Sequence, residues 1–329
     1  MPMPVDARML DDLRRFNRKL ALAPRVRYRH RITPLLGQAL LRLTQVGADA
    51  KLRRKGVRVE SRMADADDVQ VPLRVLWPAG SPRGVVLDIH GGGWVIGNPE
   101  MNDALNAAIV RACDVVVVSV GYRLATEAPI ASMIDDCLAA LTWLLEDQLR
   151  GCAGLPAVVL GESAGAHLAA ATLLKLKARP ALLRRIQGAV LYYGVFDMAG
   201  SPSVRTAGPD TLVLDGPAML PALRLLTPGL DEAQRRAPPL SPLFGDLNGM
   251  PPVLMFTGGR DPLRDDTLGM ARRWAEHADV ELVDLPEAPH GLIHFPTAMG
   301  RAACAHTHAW INARLAQAQG SQALQANAR

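Results

Sequence analysis

Short apolar strings alternate with helical periodicities along most of the chain. Residues 84–89, 115–120, 157–160, 189–193, 253–257 and 280–285 are rich in Val, Ile and Leu, with few polar interruptions. Helical stretches such as 131–145 and 164–177 separate most of them. Continuous apolar strands that alternate with helices predict a mostly parallel sheet buried on both faces, an α/β fold. In such a sheet, reactive groups lie just beyond the carboxyl ends of the strands.

Two parts of the chain depart from this rhythm. At the front, Met9, Leu13, Phe16 and Leu20 recur at helical spacing with Asp6 as a candidate N-cap, and a second helix is expected near 34–46. Next comes a strand in which Val69, Val71, Leu73, Val75 and Trp77 alternate with other residues. Pro72 inside it predicts an edge position. Between Asp197 and Pro238 the sequence is rich in Pro and Gly, with a helical piece around 220–226. It reads as an insertion after a strand, and such insertions shape pockets. Residues 317–329 have little periodicity and are expected to be disordered.

The candidate chemistry falls at strand ends. Gly161-Glu162-Ser163-Ala164-Gly165 follows one apolar string and precedes an Ala- and Leu-rich helix. That strand, turn, helix context is what a GxSxG nucleophile elbow requires, and the N–H of Ala164, the residue after the nucleophile, is then an oxyanion donor. His90-Gly91-Gly92-Gly93-Trp94 follows an earlier string. Glycines there let backbone N–H groups turn toward a developing oxyanion. A serine nucleophile needs a base and an orienting carboxylate, in the order Ser, acid, His for this fold. Of the eight histidines, His30 and His90 come too early, His167 sits one turn beyond the serine, and His277, His306 and His308 lie in helical segments. His290 stands in a loop after the 280–285 string and is preferred to His294. Asp261 follows the 253–257 string and is the chosen acid. Asp265 and Asp266 start the next helix, where carboxylates serve as caps.

Composition narrows the setting. With 329 residues there is room for one large domain with an appended lid, or for two modest domains. No apolar run approaches the roughly 20 residues needed to span a bilayer, and Asp6 and Arg8 interrupt the place of a secretory signal. An intracellular, cytoplasmic and soluble protein is expected. Cys113, Cys137, Cys152 and Cys304 lack ligand-like spacing, and Cys113 and Cys137, in apolar helical patterns, read as core fillers; no metal and no cofactor is expected. The net charge of +5 is concentrated toward the front. The preferred reading is the wet face of surface helices; no nucleic-acid module accompanies the charges. Peripheral membrane contact through the basic N-terminal helices is a separate expectation about location, and the sequence does not fix an oligomeric state.

Assembled, the chain resembles the bacterial hormone-sensitive-lipase-like carboxylesterases of the α/β-hydrolase superfamily. The resemblance rests on HGGGW, the GESAG elbow, Tyr122-Arg123-Leu124-Ala125, Leu240-Ser241-Pro242-Leu243-Phe244, the segment from Asp261 to Asp266 and the segment from His290 to Phe295, all in order. It implies a catalytic domain over 56–329 carrying a cap insertion at about 198–238, with further cap helices in 1–55. It also implies that Gly92 and Gly93 supply oxyanion donors. Glu162 stands where the family more often has Asp or Thr, and Thr126 and Ala131 replace its usual prolines; none of these removes a reacting group. The expected activity is hydrolysis of short- to medium-chain acyl or aryl esters through an acyl-Ser163, falling in acid as the imidazole protonates. An amidase or formamidase on the same fold is the nearest alternative. A receptor that kept the fold should lack a triad member, and none is missing.

Overall fold

The computed structural model describes residues 3–26, 32–66 and 69–327. Eight strands form one sheet: β1 (Arg58–Ala66), β2 (Val69–Trp77), β3 (Val85–Ile89), β4 (Val116–Val120), β5 (Ala157–Glu162), β6 (Ile186–Tyr192), β7 (Val253–Arg260) and β8 (Val280–Pro289). Their order is β1-β2-β4-β3-β5-β6-β7-β8. β1 and β2 pair antiparallel, as do β2 and β4, and every later pairing is parallel. The expected α/β architecture is therefore present.

The pleat explains why the apolar strings are continuous. Val85, Leu87 and Ile89 of β3, with Val116, Val118 and Val120 of β4, belong to one core cluster. Val86 and Val117, from between them, belong to the other. Successive side chains on a strand point to opposite faces, so a sheet covered on both sides needs apolar residues at nearly every position. The first cluster is closed by α5 (Ile130–Leu145), α6 (Ala164–Leu176) and α11 (Arg264–Trp274). The second is closed by α1 (Ala7–Leu20), α4 (Asp103–Cys113) and α12 (Ala298–Asn327). Cys113 and Cys137 are buried in these clusters.

Three expectations need correction. β2 is not an edge strand, because β1 covers it. Pro72 faces Met63 of β1, while the pairing of β2 with β4 spans only Leu73 to Leu76. The missing N–H of Pro72 thus falls outside that ladder, and its carbonyl accepts from the N–H of Gly121 at 2.8 Å. Second, α12 continues to Asn327, through most of the tail expected to be disordered. Third, Asp265 and Asp266 sit in the first turn of α11 but do not cap it. Asp265 accepts from the N–H of Ser203 at 2.9 Å, and Asp266 Oδ1 accepts from the N–H groups of Phe196 at 2.7 Å and Asp197 at 2.8 Å. Both bind the segment that follows β6.

That segment contains α8 (Pro202–Thr206), α9 (Gly216–Leu226) and α10 (Glu232–Arg236). The N-terminal segment meets it: Val26 N–H donates to Val213 O at 2.7 Å, and the Arg25 guanidinium donates to the carbonyls of Gly208 and Pro209, each at 3.1 Å. Further along, α2 (Ile32–Thr44) and α3 (Ala48–Arg54) pass over the β3–α4 connection, where Gln38 exchanges two hydrogen bonds with the backbone of Gly97. A short helix, α7 (Pro180–Leu183), precedes β6. No described helix is long and apolar enough to cross a membrane.

Candidate active site

β5 ends at Glu162, and the chain turns sharply at Ser163 before α6 begins. Ser163 has φ 53° and ψ −120°. A side-chain-bearing residue is rarely found there and stays only where its surroundings hold it. Here the Ser163 N–H donates to Tyr192 O at 2.9 Å. The space around the turn excludes side chains: a Cβ on Gly165 would lie 1.9 Å from Ile89 O, and one on Gly161 would lie 2.4 Å from Gly165 O. The strained turn lifts the hydroxyl above the carboxyl end of the sheet.

Ser163 Oγ lies 2.9 Å from His290 Nε2, and His290 Nδ1 lies 2.8 Å from Asp261 Oδ2. With Nδ1–H donating to the carboxylate, Nε2 is left as the acceptor facing the hydroxyl. Asp261 is held in turn, because its Oδ1 accepts the N–H of Leu263 at 2.9 Å. Three residues separated by up to 127 positions in sequence thus form one chain of hydrogen bonds. The Tyr193 ring backs the imidazole at 4.7 Å between centroids.

The HGGGW loop runs beside Ser163. Gly92 has φ 106° and Gly93 has φ 60°, and a Cβ on Gly92 would lie 1.9 Å from Ile96 O. Ala164 opens α6, so its N–H is among the donors a helix leaves without an internal acceptor. His90 is not part of that hydrogen-bonded series: it stacks on Tyr122 and its Nδ1–H donates to Gly91 O at 2.8 Å. His167 accepts from Trp94 Nε1 at 3.1 Å and donates to Leu240 O at 2.8 Å, tying the loop to the segment before β7. Burial pushes both imidazoles down to about 4, so they are neutral at pH 7.

Sequence reasoning missed the partners of Glu162. Its side chain lies against Gly91 of the glycine loop, and Oε2 accepts from His294 Nε2 at 2.6 Å and from Tyr193 Oη at 3.0 Å. Burial favours the neutral acid, but the charge and hydrogen bond of His294, the Tyr193 hydroxyl and His290 together outweigh it and lower the carboxyl pKa. Burial likewise opposes the charge on His294; Glu162 overcomes it, and the imidazole is raised. The two shifts agree on an ion pair. One signal was available: His294 follows His290 by four residues in the same loop. A second buried carboxylate, Asp88, accepts from Asn102, Asn106 and Ser119 and is raised to about 6, chiefly by burial.

Ser163, His290, Gly92 and Gly93 open onto a cavity of about 260 Å³. Its far wall is apolar and comes from Val26, Val213, Leu214 and the α9 residues Met219, Leu223 and Leu226.

A family model described as the α/β hydrolase fold matches residues 86–294. The carboxylesterase NlhH of Mycobacterium tuberculosis is 34% identical over 257 residues, which cover 75% of this chain and 79% of that protein. A solved esterase of Pyrobaculum calidifontis matches with TM-score 0.78 at 26% identity, covering 94% of this chain and 99% of that one. A solved esterase of the bacterial hormone-sensitive lipase family matches with TM-score 0.73 at 25% identity, covering 95% and 100%. With its elbow, its glycine loop and these relatives, the chain belongs to the α/β-hydrolase fold family, among the hormone-sensitive-lipase-like carboxylesterases.

Proposed function

We propose that this carboxylic ester hydrolase works through an acyl-enzyme on Ser163 and takes esters with small apolar acyl or aryl groups. The observation that carries the reading is the hydrogen-bonded series from Ser163 through His290 to Asp261, opening into an apolar cavity. His290 Nε2 takes the hydroxyl proton as Oγ attacks the ester carbonyl. Asp261 fixes the tautomer and stabilises the imidazolium that forms. The N–H groups of Gly92, Gly93 and Ala164 receive the negative oxygen of the tetrahedral intermediate. His290 then gives the proton to the leaving alcohol. Water, deprotonated by the same imidazole, attacks the acyl-Ser163, and the acid leaves as the serine regains its proton.

In this reading, residues 1–55 and about 198–238 form a cap over a catalytic domain within 56–329. Its support is the pairing of Val26 with Val213 and the shared apolar wall. At about 260 Å³ the cavity falls just below the roughly 300–1,000 Å³ usual for small-molecule sites, which favours short acyl chains.

The test is a Ser163→Ala variant assayed on p-nitrophenyl butyrate. By comparison with serine proteases, kcat should fall about 10⁶-fold while the fold survives. Retention of most of the activity would end the assignment. Faster turnover of an N-formyl aromatic amide than of the ester would instead favour an amidase.

A further inference from the structure

The helix α2 is turned inside out. Its inward positions are Gly37, Gln38 and Leu41, continued by Gln45 just beyond its end. Gln38 exchanges hydrogen bonds with the backbone of Gly97, Gln45 exchanges two with Asn98 at 2.7 Å each, and Gly37 lies against Ile96. The opposite face is apolar: Leu35, Leu36, Leu40 and Leu43 are 59 to 69% exposed, and Val46 just beyond the helix is 73% exposed. A helix on a globular surface ordinarily turns its apolar stripe toward the core. An apolar stripe of this extent facing outward marks an interaction surface.

Charge indicates the occupant. Between Asp12 and Asp49 the sequence contains no acidic residue, but eight arginines and one lysine. Asp49 itself is engaged, 2.7 Å from Arg74. Arg42 on α2 and Lys51, Arg53 and Arg54 on α3 are all exposed. A second copy of the chain would bring these cations together across the contact. An anionic bilayer surface complements both features, taking leucines into the acyl boundary and cations against headgroups. The basic helix α1 is not the contact element, because Leu13 is buried in the second core cluster and Asn17 donates to Glu287 O.

We propose that the outward face of α2 is a lipid-docking surface that seats the enzyme on anionic membranes. The placement has a functional consequence. The inner face of α2 is bonded to Gly97 and Asn98, a few residues beyond the glycine loop, and Val26, upstream of α2, lines the cavity. Docking there holds the cavity wall near the bilayer, where apolar esters concentrate. That delivery rests on the ester-hydrolase reading; the docking does not.

The test is co-sedimentation of the full chain with vesicles of phosphatidylcholine alone and with vesicles containing about one third phosphatidylglycerol. The protein should pellet with the anionic vesicles, at least about tenfold more tightly than with the neutral ones, and raised salt should weaken binding. A variant carrying Leu36→Glu, Leu40→Glu and Leu43→Glu should lose this binding and keep its activity on a soluble short-chain ester. Ser163→Ala should bind as wild type does, so failure of the catalytic reading and failure of docking are separable. The proposal is overturned if the wild type binds neither vesicle, or if the triple variant binds as well. It is also overturned if light scattering finds a dimer that the variant dissolves, since a second copy would then cover the face.

Discussion

Two histidines four residues apart have opposite tasks at this site. In the proposed mechanism His290 cycles its proton, whereas His294 holds a charge against Glu162. The Glu162–His294 pair fastens the loop after His290 to the turn that carries Ser163, and Tyr193 touches both Glu162 and the His290 ring. Because the folded-state pKa of His294 is raised, its stabilisation is complete below the ordinary imidazole value and is lost as pH rises through the folded value. Glu162 is depressed, so its share is present above the ordinary carboxylate value and is lost only in acid. A His294→Gln variant should therefore melt below wild type near about pH 6, and the gap should narrow as pH rises beyond about 6.5. A gap that does not change with pH would show that His294 is not the cation of a pair. At the acid, Asp261→Asn should lower kcat by about 10⁴-fold, while Asp265→Asn, away from the imidazole, should leave it near wild type.

At the scale of elements, backbone close approach and buried acceptors hold the site. The glycine loop can form only where Cβ atoms are absent, so Gly92→Ala should remove most activity and lower Tm, as read by ester assay and melting. Asp266 is the fastening between α11 and the segment after β6. Burial raises its carboxyl to about 7, against the N–H bonds it accepts. Asp266→Ala leaves the N–H groups of Phe196 and Asp197 without their acceptor and should cost about 2–4 kcal/mol in urea unfolding. Asp266→Asn keeps an oxygen for both, gives up a buried charge and should cost far less. Equal losses in the two variants would refute this account of the bonds.

Across the whole molecule, the floor of the cavity, with the proposed reacting groups, and its apolar wall come from different parts of the chain. Ser163 and His290 stand on sheet connections, and Val26, Met219 and Leu223 stand opposite them. Chain-length preference should therefore follow the wall and not the floor. Leu223→Trp should shift the kcat/KM optimum of a p-nitrophenyl ester series toward acetate, with little change in the rate of fluorophosphonate labelling at Ser163. An unchanged optimum would place the acyl group elsewhere.

The parallel strands were legible because a strand buried on both faces must be apolar throughout, and that leaves an unbroken string. The elbow was legible because its glycines answer local steric demands. Other features depended on partners far away in sequence. β1, with Arg58, Glu60 and Arg62 among its residues, gives a weak local signal, and its pairing is what moves Pro72 away from the edge. The charge on His294 is a property of its contact with Glu162 and not of its own surroundings in sequence. Gln38 and Gln45 turn inward because Gly97 and Asn98 offer them bonds, which reverses the orientation an apolar stripe would choose. Sequence determined the parallel strands and the turns at their ends that carry the candidate residues, since these follow from short-range sterics and burial. Tertiary structure decided which face meets water and which charges pair, since those depend on groups that meet only after folding.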